Sequence, residues 1–234
     1  MTSIGVFGKI PGQGDFVDRG LPSSFIGVWD DWLQRSIASS REQYGKAWLD
    51  YYLTSPIWRF VLSGGSVDGS AWAGILVPSV DSVGRYFPLT ILKPLRTDEN
   101  LFMFLRTNKQ WFEGLENVAL GALEERLTVD GLMENFNLIK TPAACESVSL
   151  QLQSGLRGGC AIAADSADDD PVERGLEPLV HALIVKECES YGLWSCQGSE
   201  YMPPMFNISS GLPSAQSYSA FLDGQWKHWG WGGS

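Results

Sequence analysis

Histidine is scarce in this chain, with 2 among 234 residues, and the two stand far apart as His181 and His228. No base–orienter pair can be built from them, so proton transfer through imidazole is a poor candidate mechanism. His181 falls on the polar flank of a helical segment, where a solvated surface residue is expected. His228 sits among tryptophans, where packing is expected. Cysteine is nearly as sparse. Cys145, Cys160, Cys188 and Cys196 form no Cys-x-x-Cys pair, which removes the spacing of thiolate metal sites and redox motifs. A chain of this length has no need of disulfide staples, so all four read as reduced, mostly buried thiols.

Positive charge is also short. Lys and Arg number 17 against 27 Asp and Glu, for a formal net charge of −10. Nucleic acids and anionic membrane surfaces reward a basic face, and neither is expected as a partner. No window approaches the roughly 20 apolar residues of a membrane span. The first residues, Met1 to Phe7, lack a basic region followed by an apolar one, so no secretory signal is expected.

The common catalytic motifs are missing too. Gly65-Ser66-Val67-Asp68-Gly69 places its serine one position too early for a nucleophile elbow. Gly8-Lys9 is followed by Ile10 and preceded, five residues earlier, by Ser3, so it is no phosphate loop. Gly14 has Val17 where a dinucleotide fingerprint needs glycine. Asp168-Asp169-Asp170 lacks the alternating oxygen ligands, glycine and distal glutamate of a calcium loop, and reads as a solvated acidic loop. Neither a metal nor a cofactor is expected.

What the chain does have is a large apolar complement. It is 44% hydrophobic and only 19% charged, with 10 tryptophans, enough to bury a sizeable core. Ile4 to Ile10 reads as a first strand ending in Pro11-Gly12. Phe25, Val28, Trp29, Trp32, Leu33, Ser36 and Ile37 trace one helical face, with Ser23 or Ser24 as its N-cap. Ile57 to Leu62, Ala71 to Val77 and Phe87 to Leu92 read as three strands. Their connections are short, which favours antiparallel pairing.

Asn108 to Leu127 is helical again, and Thr128 to Ile139 adds a second short helix. Val148 to Leu152 and Cys160 to Ala164 read as strands. A further helix carries Leu176, Leu179, Val180, Leu183, Ile184 and Cys188 on one stripe. Tyr191 to Cys196 and Met205 to Ser209 are strands, and a short helix near Leu222 precedes a Trp-rich end. Leu95 to Asn100 is the one weak candidate for a linker. The inventory predicts an α/β (α+β) fold in a single domain spanning 1–234. A mixed or largely antiparallel central sheet is flanked by helices, in a longin-like or profilin-like arrangement.

Two crowded segments stand out, Gly8 to Pro22 and Pro78 to Pro88. Each packs Gly, Pro, carboxylate, arginine and aromatic residues into one short stretch. Glycine opens backbone shapes closed to other residues and proline fixes φ, so such stretches specify rigid loops. The plain reading is that Asp15, Asp18 and Asp81 cap turn N–H groups while Arg19 or Arg85 bridges to a carboxylate or carbonyl. The functional reading is a rigid surface gripped by a protein partner, with an arginine beside aromatics as anchor. A third reading makes Asp81 a base and Arg85 an anion holder in a small hydrolase or phosphate-ester enzyme.

Gly8-Lys9-Ile10-Pro11-Gly12-Gln13-Gly14-Asp15-Phe16 resembles the opening pattern of the TagF family of bacterial type VI secretion. Pro78-Ser79-Val80-Asp81-Ser82-Val83-Gly84-Arg85-Tyr86-Phe87-Pro88 resembles its second signature. Val28 to Gln34 and Ser55 to Phe60 are similar to two further blocks, so the resemblance covers about residues 5–92. It implies a cytoplasmic, non-enzymatic regulator, a post-translational repressor whose partner is the forkhead-associated scaffold protein of the system. A chaperone for secretion components is the alternative within the same setting. The residues marked as structural signature or partner contact are Lys9, Asp15, Phe16, Arg19, Trp29 and Trp32. Trp58, Ser79, Asp81, Gly84 and Arg85 complete that set.

Overall fold

The computed structural model describes residues 4–125, 127–145 and 171–232. The strands expected over 148–152 and 160–164, and the acidic loop at 168–170, lie outside the described residues.

The chain opens with β1 (Gly5–Gly8), β2 (Val17–Arg19) and the long helix α1 (Ser23–Tyr44). A 3₁₀ turn leads into α2 (Trp48–Leu53), followed by β3 (Trp58–Leu62), β4 (Trp72–Val77) and β5 (Leu89–Pro94). Helices α3 (Leu101–Thr107), α4 (Lys109–Glu125), α5 (Val129–Phe136) and α6 (Pro171–Glu187) come next. Then β6 (Tyr191–Cys196), β7 (Met205–Ser210) and the single turn α7 (Ala220–Asp223) end the element list. The strands form one open sheet in the order β2-β1-β5-β4-β3-β6-β7. Each neighbouring pair is antiparallel.

Both faces of the sheet are covered, which is why its central strands read as nearly continuous apolar runs rather than as alternations. One face is aromatic. Trp58 and Phe60 of β3, Trp72 of β4 and Trp194 of β6 meet Phe25, Trp29 and Trp32 of α1 and Phe221 of α7. The rings interlock at centroid distances such as 5.1 Å for Trp29–Phe60 and 4.6 Å for Trp58–Phe221, in the tilted and edge-on arrangements that ring quadrupoles favour. The indoles find polar partners as they bury. Trp29 donates to Thr90 Oγ1 at 2.9 Å, Trp32 to Pro213 O at 2.7 Å and Trp58 to Phe221 O at 3.1 Å. The other face is mostly aliphatic. Val61, Ala73, Ile75 and Ile91 pack under Phe104, Phe112, Leu115 and Leu132 of α3, α4 and α5.

Four expectations need correction. The N-cap of α1 is Pro22, whose carbonyl accepts the N–H groups of Phe25 and Ile26 at 3.1 Å. Ser24 instead turns its hydroxyl to Asp68 Oδ2 at 3.0 Å. Val28 is exposed, because the buried stripe runs Phe25, Trp29, Leu33, Ser36 and Ser40. The supposed linker is pinned down. Glu99 Oε2 accepts the Cys145 N–H at 2.6 Å, and Asn100 donates its N–H to Cys145 O at 2.7 Å and caps α3 at Met103 N. The apolar stripe of α6 is also buried only in part. Leu176 and Leu183 are exposed, while Ile184 and Cys188 pack against the aliphatic core.

Candidate functional site

The two crowded segments lie against each other at the β1 end of the sheet. Gly8, at φ +127, ends β1 where a Cβ would collide with the Pro88 carbonyl, so the second segment can close over the first. Gly84, at φ +85, makes the turn after Asp81. Around it Gly84 N bonds to Asp81 O at 3.1 Å, Asp81 N to Arg85 O at 3.1 Å and Phe87 N to Ser79 O at 3.1 Å.

Asp81 is the centre of this junction. Its side chain is 0% exposed. One carboxylate oxygen accepts the backbone N–H groups of Val83 at 3.0 Å and Arg85 at 2.8 Å. The other accepts the buried Lys9 ammonium and Arg85 Nε, the latter at 2.6 Å. Arg85 then reaches across to the Gly14 carbonyl through Nη2. Burial by itself would push the Asp81 carboxyl up, but the Lys9 bond, the Arg85 backbone and side-chain bonds and the Val83 N–H outweigh it. Asp81 is therefore held well below the usual carboxylate range.

Backbone contacts tie the segments further. Ser79 Oγ donates to Lys9 O at 2.6 Å, and Ser82 N donates to Gln13 O at 3.2 Å. The hydroxyl of Tyr52, on α2, both donates to Ser79 O and accepts from Ser79 N, each at 2.9 Å. Phe16 is half-exposed and lies over the top: the Lys9 ammonium is 4.8 Å from its centroid, and its ring meets Phe87 at 4.9 Å and Phe7 at 6.0 Å.

Of the residues marked from sequence, Lys9, Phe16, Ser79, Asp81, Gly84 and Arg85 come together in this junction. Trp29, Trp32 and Trp58 do not; they belong to the aromatic core. Asp15 and Arg19 are exposed and make no side-chain hydrogen bond or ion pair among the described residues. The cation beside an aromatic ring here is Lys9, not an arginine. Sequence reasoning missed Tyr52, whose hydroxyl is tied to a residue 27 positions away and leaves no local pattern.

A second polar cluster lies elsewhere, on a cavity of about 290 Å³ lined by Ser63, Arg96, Glu99, His181, Cys188 and Tyr191 among others. His181 is half-buried rather than solvated, because the narrow inner side of α6 carries it toward β6. Its Nδ1 lies 2.8 Å from the Tyr191 hydroxyl, and burial pushes it below the ordinary imidazole value. Cys145, Cys188 and Cys196 are free thiols. Among the described residues, no three His, Cys, Asp or Glu side chains are grouped to hold a metal ion, and no helix is long and apolar enough to cross a membrane.

The TagF N-terminal domain, type VI secretion system-associated, matches residues 5–139, a span that holds the whole Lys9–Asp81–Arg85 junction. The chain belongs to the TagF family. Among solved structures, PA0076 from Pseudomonas aeruginosa PAO1 is similar to it at 34% identity with a TM-score of 0.80, over 95% of each chain. No curated protein matches the chain. The family domain stops after α5, yet β6 pairs directly with β3 and carries β7 outside it. The likeness to PA0076 extends over that region as well, so the TagF fold here includes the last two strands.

Proposed function

We propose that this protein is a cytoplasmic, non-enzymatic regulator that represses type VI secretion by binding and withholding the forkhead-associated scaffold protein of the system. The observation that carries this reading is the TagF family match over residues 5–139. The state of Asp81 supports it against the hydrolase alternative. A general base needs an oxygen free to take a proton near the working pH. Asp81 has both oxygens engaged by four donors and is held far below that range. Arg85, the proposed anion holder, is turned to Asp81 and the Gly14 carbonyl. The signature residues act as a clamp that holds two loops in one shape.

Capture of this kind is stoichiometric. Deleting the protein is expected to derepress secretion, and overproducing it to silence secretion. A pull-down with the purified scaffold protein tests the contact directly, and absence of binding would end the capture reading.

A further inference from the structure

The two edges of the sheet are built differently. β2 has three residues, two of them the exposed Asp18 and Arg19, and Gly20 and Pro22 follow at once. Charge, shortness and proline are the devices that keep an edge from pairing. β7 has none of them. It runs six residues, Met205-Phe206-Asn207-Ile208-Ser209-Ser210, with no charge, no proline and no glycine.

The register shows which backbone groups this edge offers. Gly211 N donates to Ser190 O at 2.9 Å, and bonded and non-bonded pairs alternate from there along an antiparallel ladder. Ser209, Asn207 and Met205 therefore bond to β6, while the N–H and C=O groups of Ser210, Ile208 and Phe206 point outward. Among the described residues, no backbone group of another element meets them. The same residues carry exposed apolar side chains: Phe206 is 51% and Ile208 41% exposed.

Beside Phe206 lies a groove of about 380 Å³, walled by Phe102 and Leu105 of α3 and by Pro204 at the strand entrance. Its charged lining reverses the sign of the chain. Arg59, Arg106 and Lys109 face one carboxylate, Glu177, in a molecule of net charge −10. Arg59 is paired with Glu116 and Arg106 with Glu177. Lys109, exposed at the start of α4, has no ion pair among the described residues.

We propose that the β7 edge and this groove take an extended strand of a partner protein, one carrying apolar side chains at alternate positions and a carboxylate toward Lys109. The strand would continue the sheet through the outward groups of Phe206, Ile208 and Ser210, its apolar side chains would enter the groove, and the carboxylate would complement the cations. A second copy of this chain fits less well. A two-fold pairing of β7 with β7 sets the same cations side by side on one face and joins two molecules of like net charge. The proposal rests on the regulator reading above, for which it names the contact surface.

The test uses the full chain, the purified forkhead-associated scaffold protein, and two variants. Ile208→Pro removes an outward N–H and no β6 bond, a place edge strands tolerate proline. Lys109→Glu reverses an exposed charge and leaves the fold alone. Binding by the wild type, weakened at least tenfold in both variants with unchanged thermal midpoints, is the expected result. Equal binding by all three overturns the surface and spares the regulator reading. No binding by the wild type overturns both. A wild-type dimer that Ile208→Pro converts to monomer, seen by sedimentation, assigns the edge to self-pairing and overturns the proposal.

Discussion

At one end of the sheet a buried carboxylate has every partner it needs, and at the other a strand edge meets no backbone partner among the described residues. The β1 end, where the two signature segments meet, joins Lys9 to Asp81 across 72 positions of sequence and covers the junction with Phe16. The β7 end offers three residues whose outward backbone groups are unpaired among the described residues, two exposed apolar side chains, and Lys109, which has no ion pair among those residues. Residues that identify the family and residues proposed to meet a partner thus need not coincide. A segment can be distinctive because its geometry is hard to build, and the first end is of that kind.

Substitutions separate the two ends by their cost to folding. Asp81→Ala has the largest expected effect, about 3 kcal/mol or more, since it leaves the buried Lys9 ammonium and two turn N–H groups without an acceptor. Urea denaturation measures it. The same carboxylate makes the clamp acid-sensitive. Its folded pKa lies below the roughly 3.9 of an unfolded aspartate. Its contribution is therefore full above about pH 4 and is lost as pH falls below that value. Denaturation of wild type and Asp81→Asn across that range should show the gap between them narrowing as the pH drops.

Lys9→Met comes next, at about 2 kcal/mol, because Asp81 keeps three other donors. Arg85→Ala should cost only about 1 kcal/mol, since its side chain is 59% exposed and water replaces much of what it gives. Lys109→Glu, at the open end, should stay within about 0.5 kcal/mol of wild type. If Lys109→Glu destabilised the protein as much as Asp81→Ala, the contrast between the ends would be lost.

Much of the fold was readable from residues alone, for identifiable reasons. The aromatic stripe of α1 has helical spacing, and the runs from 57 to 92 are apolar because both sheet faces are covered. Helix α3 was lost because Asn100, its cap, sits in a polar stretch that mimics a linker and is ordered only by Cys145 and Glu99. The buried part of the α6 stripe was not separable by pattern, because the exposed Leu176 and Leu183 share the helical spacing of Ile184 and Cys188, which touch the core. In the candidate site, the residue types were visible but their partners were not. Nothing local in Lys9 or Tyr52 points to Asp81 or Ser79; only the strand order β1-β5-β4 brings them together. The open edge was equally hidden, since Met205 to Ser209 reads as a strand whether it lies at the centre or the rim.

The most direct measurement is the affinity of the purified forkhead-associated scaffold protein for wild type, Arg85→Ala and Lys109→Glu, each with its thermal midpoint. Arg85→Ala is expected to melt lower and bind as wild type does. Lys109→Glu is expected to melt as wild type does and bind at least tenfold more weakly. The reverse pattern, with affinity lost at Arg85 and kept at Lys109, would place the partner on the signature loops and contradict this account.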